Sequence, residues 1–381
     1  MTSNELIKHA NAVALRDSCT VPAEYVSDVF RQQISDLQKV AQTYDGRRRI
    51  LLLGGGGYVG TVVAGHLLAS GYAVRCLDPF VYGNDQAITH LLNDPGFDYR
   101  RGDMGDEATL DAALDRVSDV VILGGLVGDP ITKTYPEQSA EINEGAVSRA
   151  INRLTTRDTL RRVIFVSTCS NYGLVENEEL ADEATKLQPL SLYAKAKVAM
   201  EQQVLAMKGK TAFEATVLRF ATAFGLSPRM RFDLTVSQFA RELALGRELV
   251  VFDPDTWRPY CHVSDFATLI RRVIEAPTER IDYEVFNAGG NANNSTKRNL
   301  VEIIQKSIPD THVVIQTEGP DPRNYKVDFG KVVNALHFVP DWTVEDGVRQ
   351  VISAVQSGLF QGSDEHYGNY TLIEPWAQGT Q

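Results

Sequence analysis

The sequence has few cysteines and no long apolar run. Its 381 residues include four cysteines, Cys19, Cys76, Cys169 and Cys261, and no two of them form a CxxC pair. Cysteines so widely separated predict reduced thiols in a reducing compartment, without a metal site. No apolar run approaches the roughly 20 residues needed to span a bilayer, and the N-terminus lacks a signal-peptide pattern. We therefore expect a cytoplasmic protein with no membrane partner.

Positive charge is also scarce. Lysine and arginine number 38 against 49 acidic residues, which gives a net charge of −11. This balance leaves no broad basic surface for a nucleic-acid backbone, although a few arginines can still bind a small anion. The hydrophobic content of 43% and charged content of 23% are ordinary for a globular protein. The length suits one large α/β domain with an added lobe, or two domains.

The chain is predicted to begin with a helical extension at residues 1–46. Apolar residues recur there at helical spacing from Tyr25 to Ala41, which predicts a helix that packs on the body or on a partner subunit. From residue 49 onward, short apolar runs alternate with longer helical patterns. The predicted strands are Ile50–Leu53, Ala73–Leu77, Phe97–Arg100, Val120–Leu123, Val163–Val166, Thr216–Arg219 and Val285–Asn287. Continuous apolar strands between helices indicate a parallel sheet covered on both faces.

This alternation predicts an α/β fold with a Rossmann-like, doubly wound domain at residues 47–224. Residues 225–360 mix short strands, loops and helices, and predict mainly a smaller substrate-binding lobe with some segments returning to the sheet. We expect the lobe to close over the carboxyl ends of the strands, where open α/β sheets bind ligands. Residues 361–381 carry Gly, Ser, Asn and Gln and predict a loosely packed C-terminal tail.

The first predicted strand runs directly into GGGGYVG at residues 54–60, and a helical pattern follows. This order of strand, glycine loop and helix is typical of a dinucleotide-binding site. Gly54 permits the tight turn, Gly57 lets the backbone approach a pyrophosphate, and Gly60 lets helix and strand pack closely. The N-terminus of the helix would offer free amides to the phosphates.

Asp78 ends the second predicted strand, 24 residues after Gly54. A carboxylate at this place accepts hydrogen bonds from the ribose hydroxyls of NAD and repels the 2′-phosphate of NADP. Pro79 and Phe80 follow it, so no arginine or lysine comes directly after it in the sequence. The sequence therefore predicts NAD as the cofactor.

Three residues form the candidate catalytic set. Tyr193 and Lys197 have the spacing YxxxK on a predicted helix, which places them on one face. Tyrosine, with a pKa of about 10, is a poor base at neutral pH, but a nearby ammonium and the positive nicotinamide ring would favour the phenolate. Thr168 follows a strand at the carboxyl end of the sheet, where its hydroxyl can bond a substrate oxygen. The set predicts proton transfer at a substrate hydroxyl.

In these features the sequence resembles the extended short-chain dehydrogenase/reductases, in particular the NAD-dependent nucleotide-sugar epimerases and dehydratases. The likeness covers residues 48–355 approximately. Its further marks are RGDMGD at 101–106, STCSNYG at 167–173, YAKAK at 193–197, LRFATAFG at 218–225, RPYCHVSD at 258–265 and FNAGG at 286–290. The resemblance implies an enzyme with bound NAD, a nucleotide-diphosphate sugar as substrate and a homodimeric state.

The resemblance also implies roles for single residues. Asp103 would hydrogen-bond the adenine, Met104 would lie beside it, and Lys197 would hold the nicotinamide ribose. The full set of expected cofactor-binding residues is Gly54, Gly57, Tyr58, Val59, Gly60, Asp78, Asp103, Met104, Leu123, Gly124, Tyr193 and Lys197. Arg258 and Arg323 would bind the substrate's diphosphate or nucleoside, because planar guanidiniums suit phosphate oxygens. The remaining candidates on the substrate side are Thr168, Thr222, Arg229 and Arg231.

The sequence departs from the family pattern at several places. Ile122 replaces the usual histidine before the nicotinamide-side segment, and glycines replace two alanines at residues 124–125. Thr222 stands where an asparagine often contacts the substrate. Cys169 and Ser170 stand where 4,6-dehydratases carry an Asp-Glu pair and related decarboxylases keep a glutamate. Cys169 is also one position away from the cysteine base of 3,5-epimerising relatives, so we expect it to have a structural role.

Three functions remain open at this point. The first is C4 epimerisation through a transient 4-keto sugar, which the missing Asp-Glu pair favours because oxidation and reduction need no additional acid. The second is a net 4-ketoreductase, dehydrogenase or dehydratase acting on a nucleotide deoxysugar with the same three catalytic residues. The third is a non-catalytic NAD-binding protein of the same fold, which the intact catalytic set disfavours.

Overall fold

The structure is a computed structural model, and it describes residues 47–175, 179–317, 319, 323–361 and 364–378. The chain divides into two compact units, residues 1–48 and 49–381, and the elements described below belong to the second. The helix predicted within residues 1–46 lies outside the described residues. Within the described residues, no helix combines the length and the apolar character needed to cross a membrane.

The secondary structure alternates between strands and helices. The strands are β1 (Arg49–Leu53), β2 (Ala73–Asp78), β3 (Phe97–Arg101), β4 (Asp119–Ile122), β5 (Arg162–Thr168), β6 (Leu180–Ala181), β7 (Glu214–Phe220), β8 (Thr222–Phe224), β9 (Leu249–Phe252), β10 (Trp257–His262), β11 (Glu284–Ala288), β12 (Asn294–Thr296), β13 (Val313–Gln316) and β14 (Lys326–Val327). The α-helices are Tyr58–Ala69, Glu107–Ala113, Asp129–Thr134, Pro136–Ala140, Val147–Leu154, Leu192–Leu205, Thr235–Ala244, Val263–Glu275, Lys297–Ser307, Gly330–Leu336 and Val344–Gln356. A π-helical turn at Glu141–Ala146 leads directly into the helix Val147–Leu154.

In the described part of the chain, seven strands form one parallel sheet in the order β11-β7-β5-β4-β1-β2-β3. β1 lies between β2 and β4, which is the point where the order of the strands reverses. Ligands of such sheets bind in the crevice outside the carboxyl ends of the strands at this point. The predicted doubly wound Rossmann-like fold is therefore confirmed.

Helices cover both faces of the sheet, which explains the continuous apolar strands. The helices Tyr58–Ala69 and Val263–Glu275 pack against one face of the sheet and share a hydrophobic cluster with it. The helices Glu107–Ala113, Val147–Leu154 and Leu192–Leu205 pack against the other. Side chains on both faces of each central strand are removed from water, so neither face carries the alternating polar pattern of a half-exposed sheet.

The elements from β8 onward that form the lobe share a hydrophobic cluster with Tyr58 of the first helix. A small sheet of β8, β10 and β12 and a pair formed by β9 and β13 belong to the lobe. The helices Thr235–Ala244, Lys297–Ser307 and Val344–Gln356 pack in this cluster. β11 pairs with β7 at the edge of the main sheet.

The described part of the C-terminal tail is not loosely packed, so the prediction was wrong for that part. In the segment 364–378, Leu372 is only 3% exposed and packs with Val81 and Leu126. The amide of Ile373 donates a hydrogen bond to the carbonyl of Val81 at 2.9 Å. A few apolar side chains among polar neighbours, together with backbone hydrogen bonds, are enough to hold this segment on the domain.

Candidate active site

A cavity of about 420 Å³ lies at the carboxyl ends of β1, β4 and β5. Every residue that the sequence analysis assigned to the cofactor or the substrate lines it. These residues are Gly54, Gly57, Tyr58, Val59, Gly60, Asp78, Asp103, Met104, Leu123, Gly124, Thr168, Tyr193, Lys197, Thr222, Arg229, Arg231, Arg258 and Arg323. Residues separated by more than 250 positions in the chain thus share one cavity.

The glycine loop at one end of the cavity leaves no room for a side chain at Gly54 or Gly60. Gly54 has a φ of +87°, and a Cβ on it would lie 2.5 Å from the Cα of Gly124. A Cβ on Gly60 would lie 2.7 Å from the carbonyl oxygen of Gly54, so the helix could not approach β1 so closely. No side chain caps the helix Tyr58–Ala69, which begins after Gly57. Its first amides are available to an anion.

Asp78 is fixed by the backbone at the end of β2. Its two carboxylate oxygens accept hydrogen bonds from the amides of Gly56, at 2.8 Å, and Phe80, at 2.7 Å. Burial raises the pKa of Asp78, while the two amides and the charges of Arg229 and Arg101 oppose this rise. The remaining lone pairs of a carboxylate held in this way can accept the ribose hydroxyls of a dinucleotide.

The position of Asp78 predicts the cofactor preference. We expect NAD to bind at least about 100-fold more tightly than NADP, a difference of a few kcal/mol, because a 2′-phosphate would face a buried carboxylate. Calorimetric titration of the cofactor-free protein with both dinucleotides measures the difference. Equal or better affinity for NADP would contradict it.

The glycines at residues 124–125 have a structural explanation. A Cβ on Gly124 would lie 2.4 Å from the terminal methyl of Met104. A Cβ on Gly125 would lie 2.7 Å from Oδ1 of Asn143. This oxygen accepts a hydrogen bond from the amide of Leu126 at 2.7 Å, so Asn143 supports the loop beside the predicted nicotinamide site. Sequence reasoning missed Asn143, which belongs to the π-helical turn.

The three catalytic candidates meet on one side of the cavity. Thr168 is the last residue of β5, and its Oγ1 accepts a hydrogen bond from the amide of Ser170 at 3.1 Å. Tyr193 and Lys197 lie one turn apart on the helix Leu192–Leu205. Nζ of Lys197 donates a hydrogen bond to the carbonyl of Val166 at 2.9 Å and lies 5.8 Å from the centre of the Tyr193 ring. The Thr168 hydroxyl keeps its proton available for a substrate oxygen.

Burial controls the titration of both helix residues. It lowers the pKa of Lys197 to about 8, which leaves the ammonium mostly protonated at neutral pH. It raises the pKa of Tyr193, and the charge of Arg231 acts in the opposite direction. The sequence analysis named the ammonium and the nicotinamide as the groups that favour the phenolate. The structure adds Arg231 to them.

The position beside Thr168 has no acid. The Cys169 thiol is buried and donates a hydrogen bond to the carbonyl of Arg219 at 3.1 Å, and burial raises its pKa far above the usual range. Oγ of Ser170 lies 3.3 Å from the hydroxyl of Tyr325. Neither Cys169 nor Ser170 is therefore placed to act as the dehydratase acid–base pair.

Among the described residues that line the cavity, the carboxylates are Asp78, Asp103 and Asp233. Asp78 accepts from backbone amides, and Oδ1 of Asp103 accepts from the amide of Gly105 at 2.8 Å. Asp233 forms an ion pair with Arg231, whose Nε donates to its Oδ1 at 2.9 Å. None of the three carboxylates is hydrogen-bonded to the catalytic set.

The burial of Cys169 gives a prediction. We expect Cys169→Ala to keep turnover within about tenfold of the wild type, since such a factor corresponds to roughly 1.4 kcal/mol and suits a packing disturbance. Steady-state kinetics of the folded variant tests this. A loss of turnover by several orders of magnitude would indicate that the thiol acts as an acid or base, and would favour 3,5-epimerisation as the function.

Two arginines of the cavity, Arg258 and Arg229, lie on different sides of it. The guanidinium of Arg258 donates to the carbonyl of Trp257 at 2.7 Å and lies 5.1 Å from the ring centre of Tyr325, near Ser170. The guanidinium of Arg229 instead lies 5.0 Å from the ring centre of Tyr82 and acts on the charge of Asp78. Arg258 is thus on the side of the catalytic set, and Arg229 on the side of the glycine loop.

A buried polar network behind the catalytic set was not predicted from the sequence. Nη2 of Arg219 pairs with Oε1 of Glu201 at 2.5 Å, and its Nη1 donates to the hydroxyl of Tyr172 at 2.9 Å. Oε2 of Glu201 accepts from Oγ of Ser167, the residue before Thr168, at 2.9 Å. Glu201 lies on the same helix as Tyr193 and Lys197. The network therefore ties that helix to the end of β5.

Comparison with known proteins gives the family. The model of the NAD dependent epimerase/dehydratase family matches residues 50–289, more than half of the chain. YtcB of Bacillus subtilis, an uncharacterized UDP-glucose epimerase, is 25% identical over 82% of this chain and 99% of its own. A dTDP-glucose 4,6-dehydratase of an Actinoplanes species is 24% identical over 80% of this chain and 97% of its own. The chain belongs to the NAD-dependent epimerase/dehydratase family, and its cofactor is NAD.

Solved structures agree with the fold. The UDP-glucose 4-epimerase of Thermus thermophilus, in complex with NAD, is 20% identical, covers 82% of this chain and 100% of its own, and has a TM-score of 0.70. The UDP-glucose 4-epimerase of Thermotoga maritima, with UDP-glucose, is 22% identical, covers 81% and 99%, and has a TM-score of 0.71.

The polar groups that line the cavity fit NAD. Besides the uncapped helix and Asp78, its lining includes polar atoms that are buried and lack a hydrogen-bond partner among the described residues. These atoms are the hydroxyl of Tyr82, Oδ1 of Asn84 and Nη1 of Arg229. Buried polar atoms without partners are costly, so a polar ligand that supplies partners is expected here. The sequence analysis did not single out Tyr82 or Asn84.

Proposed function

We propose that the chain catalyses C4 epimerisation of a nucleotide-diphosphate sugar through a transient 4-keto intermediate. One observation carries the proposal: the cavity brings Thr168, Tyr193 and Lys197 together, while the carboxylates among its described lining residues are engaged elsewhere. Dehydration requires an acid for the leaving hydroxyl, whereas oxidation followed by reduction at one carbon requires a single proton-transfer group. The relatives named as UDP-glucose epimerases support the same class of substrate.

In this proposal Tyr193 removes the proton from the 4-hydroxyl of the sugar. Thr168 donates a hydrogen bond to the same oxygen, because its own Oγ1 already accepts from the amide of Ser170. The ammonium of Lys197, held against the carbonyl of Val166, stabilises the phenolate of Tyr193. Bound NAD supplies the hydride acceptor and then the hydride donor. Tyr193 returns its proton after the ketone has turned its opposite face, so the reaction has no net redox change.

The substrate's diphosphate would lie on the side of Arg258. Its guanidinium, Arg323 and Thr222 line the cavity on that side, and Arg231 is held near Tyr193 by Asp233. A guanidinium can bind two phosphate oxygens at once, which would let the sugar rotate about a fixed diphosphate.

Product analysis tests the proposal. Purified protein is incubated with UDP- and dTDP-linked hexoses, and the products are identified by NMR while NADH absorbance is recorded. We expect the C4 epimer to accumulate with no net change in NADH. Net oxidation or reduction would indicate a dehydrogenase or ketoreductase, and loss of water a dehydratase. No turnover of any of these sugars would contradict the epimerase assignment.

We further propose a homodimer located in the cytoplasm. The three described cysteines, Cys76, Cys169 and Cys261, are free and buried, which suits a reducing compartment. The resemblance to the short-chain dehydrogenases implies the dimer, and analytical ultracentrifugation would detect it.

A further inference from the structure

Arg229 lies opposite the N-terminus of the cofactor helix. Oγ of Ser227 donates a hydrogen bond to the carbonyl of Tyr58, the first residue of that helix, at 2.7 Å. The amide of Arg229 in turn donates to Oγ of Ser227 at 3.3 Å. These two hydrogen bonds hold the loop after β8 against the N-terminus of the helix Tyr58–Ala69, beside the predicted dinucleotide site.

The guanidinium of Arg229 is buried but incompletely bonded. Its Nη2 donates a hydrogen bond to the carbonyl of Gly368, in the C-terminal segment 364–378, at 3.1 Å. One face of the guanidinium lies over the ring of Tyr82. The residue is 6% exposed, forms no ion pair with the described residues, and its Nη1 has no hydrogen-bond partner among them. Burial, together with the nearby charge of Arg231, lowers its pKa to about 10.

No carboxylate of the described residues is bonded to this cation, and Asp78 and Asp233 act on it only at longer range. Both oxygens of Asp78 accept from the amides of Gly56 and Phe80, and Asp233 is engaged by Arg231. A buried cation without a bonded anion is costly, which indicates that an anionic ligand completes the site. The ligand atoms nearest to an uncapped helix N-terminus in this fold are those of a pyrophosphate.

We propose that the guanidinium of Arg229 binds the pyrophosphate of NAD from the side opposite the glycine-loop amides, and that the Gly368 carbonyl of the C-terminal segment holds it there. The sequence analysis placed Arg229 on the substrate side. Its packing on Tyr82, its hydrogen bond to Ser227 and its charge interaction with Asp78 favour the cofactor instead. The inference requires only that the chain binds NAD, the cofactor of its family. It does not depend on which of the family's reactions the chain catalyses.

The test compares Arg229→Gln with a matched control, Arg241→Gln. Arg241 is also buried, and its guanidinium packs on Phe232 and on Tyr367 of the C-terminal segment, but it does not line the cavity. Release of NAD from each purified holoenzyme is followed by exchange with isotopically labelled NAD. The cofactor-free proteins are then titrated with ADP, which carries the pyrophosphate, and with adenosine, which does not.

We expect Arg229→Gln to weaken ADP binding by about 10- to 100-fold, the worth of hydrogen bonds to a charged group, and to accelerate NAD release by a similar factor. Adenosine binding should change less than about threefold in this variant, and Arg241→Gln should alter neither ligand beyond that range. Equal losses for ADP and adenosine would show that Arg229 acts only through packing. Unchanged ADP affinity with weakened binding of UDP would show that Arg229 binds the substrate and not the cofactor. Either result overturns the proposal, whatever reaction the enzyme catalyses.

Discussion

Tyr193→Phe should reduce turnover by about 10²–10⁴-fold while NAD remains bound, which is the usual contribution of a positioned acid–base group. The substitution removes one oxygen from a half-buried ring and leaves the helix Leu192–Leu205 and its contacts in place. Lys197 keeps its hydrogen bond to the carbonyl of Val166, so the cofactor side of the site is undisturbed. Turnover is measured with the sugar nucleotide identified in the product assay, and cofactor occupancy is measured by absorbance after denaturation.

Two companion variants separate the roles within the catalytic set. Thr168→Val should cost less than Tyr193→Phe, about 1.5–3 kcal/mol, because it removes one hydrogen bond to a charged or partly charged oxygen. Lys197→Met should reduce both cofactor occupancy and turnover, because the same ammonium serves both. A Tyr193→Phe enzyme that works at nearly the wild-type rate with full occupancy would refute the family mechanism for this chain.

The fold could be predicted because its signals are local and agree with one another. Each central strand is mostly apolar, the glycine loop follows the first of them directly, and Asp78 ends the second. The boundaries differ by a few residues: Thr168, expected just after a strand, is the last residue of β5. The bonds of a parallel sheet extend strands past their apolar cores, which periodicity alone does not show.

The parts that escaped prediction depend on contacts between distant segments. In the sequence, Arg219 is an ordinary basic residue of a strand, and Glu201 is an ordinary acidic residue of a helix. Only the fold brings their side chains together. The C-terminal segment has a polar composition, yet Asn369 donates a hydrogen bond to the carbonyl of Val127 and lines the cofactor cavity. Composition describes how a segment would behave alone. It does not describe the surface on which the segment lies.

The buried pair of Glu201 and Arg219 should dominate the stability of the site. The two side chains are 3% and 6% exposed, and neither has access to enough water to be solvated separately. Glu201→Gln keeps the volume of the side chain but leaves the charge of Arg219 without its counter-ion. We expect the free energy of unfolding to fall by about 3–5 kcal/mol, because an unpaired buried charge cannot recover its lost hydration.

Urea unfolding at a fixed, saturating concentration of NAD measures this change, so that differences in cofactor binding do not enter. The matched control is Glu345→Gln, which breaks an exposed ion pair with Arg349 one helical turn away and should change the free energy of unfolding far less. Because Glu201 also accepts from Ser167 beside the catalytic threonine, its loss should loosen Thr168 relative to Tyr193 and lower turnover at temperatures where the variant is still folded. If Glu201→Gln and Glu345→Gln unfold at the same urea concentration, the pair contributes nothing specific. The helix that carries Tyr193 and Lys197 would then be held by other contacts, which include the apolar packing of Met200 and Val204 and the hydrogen bond of Lys197 to Val166.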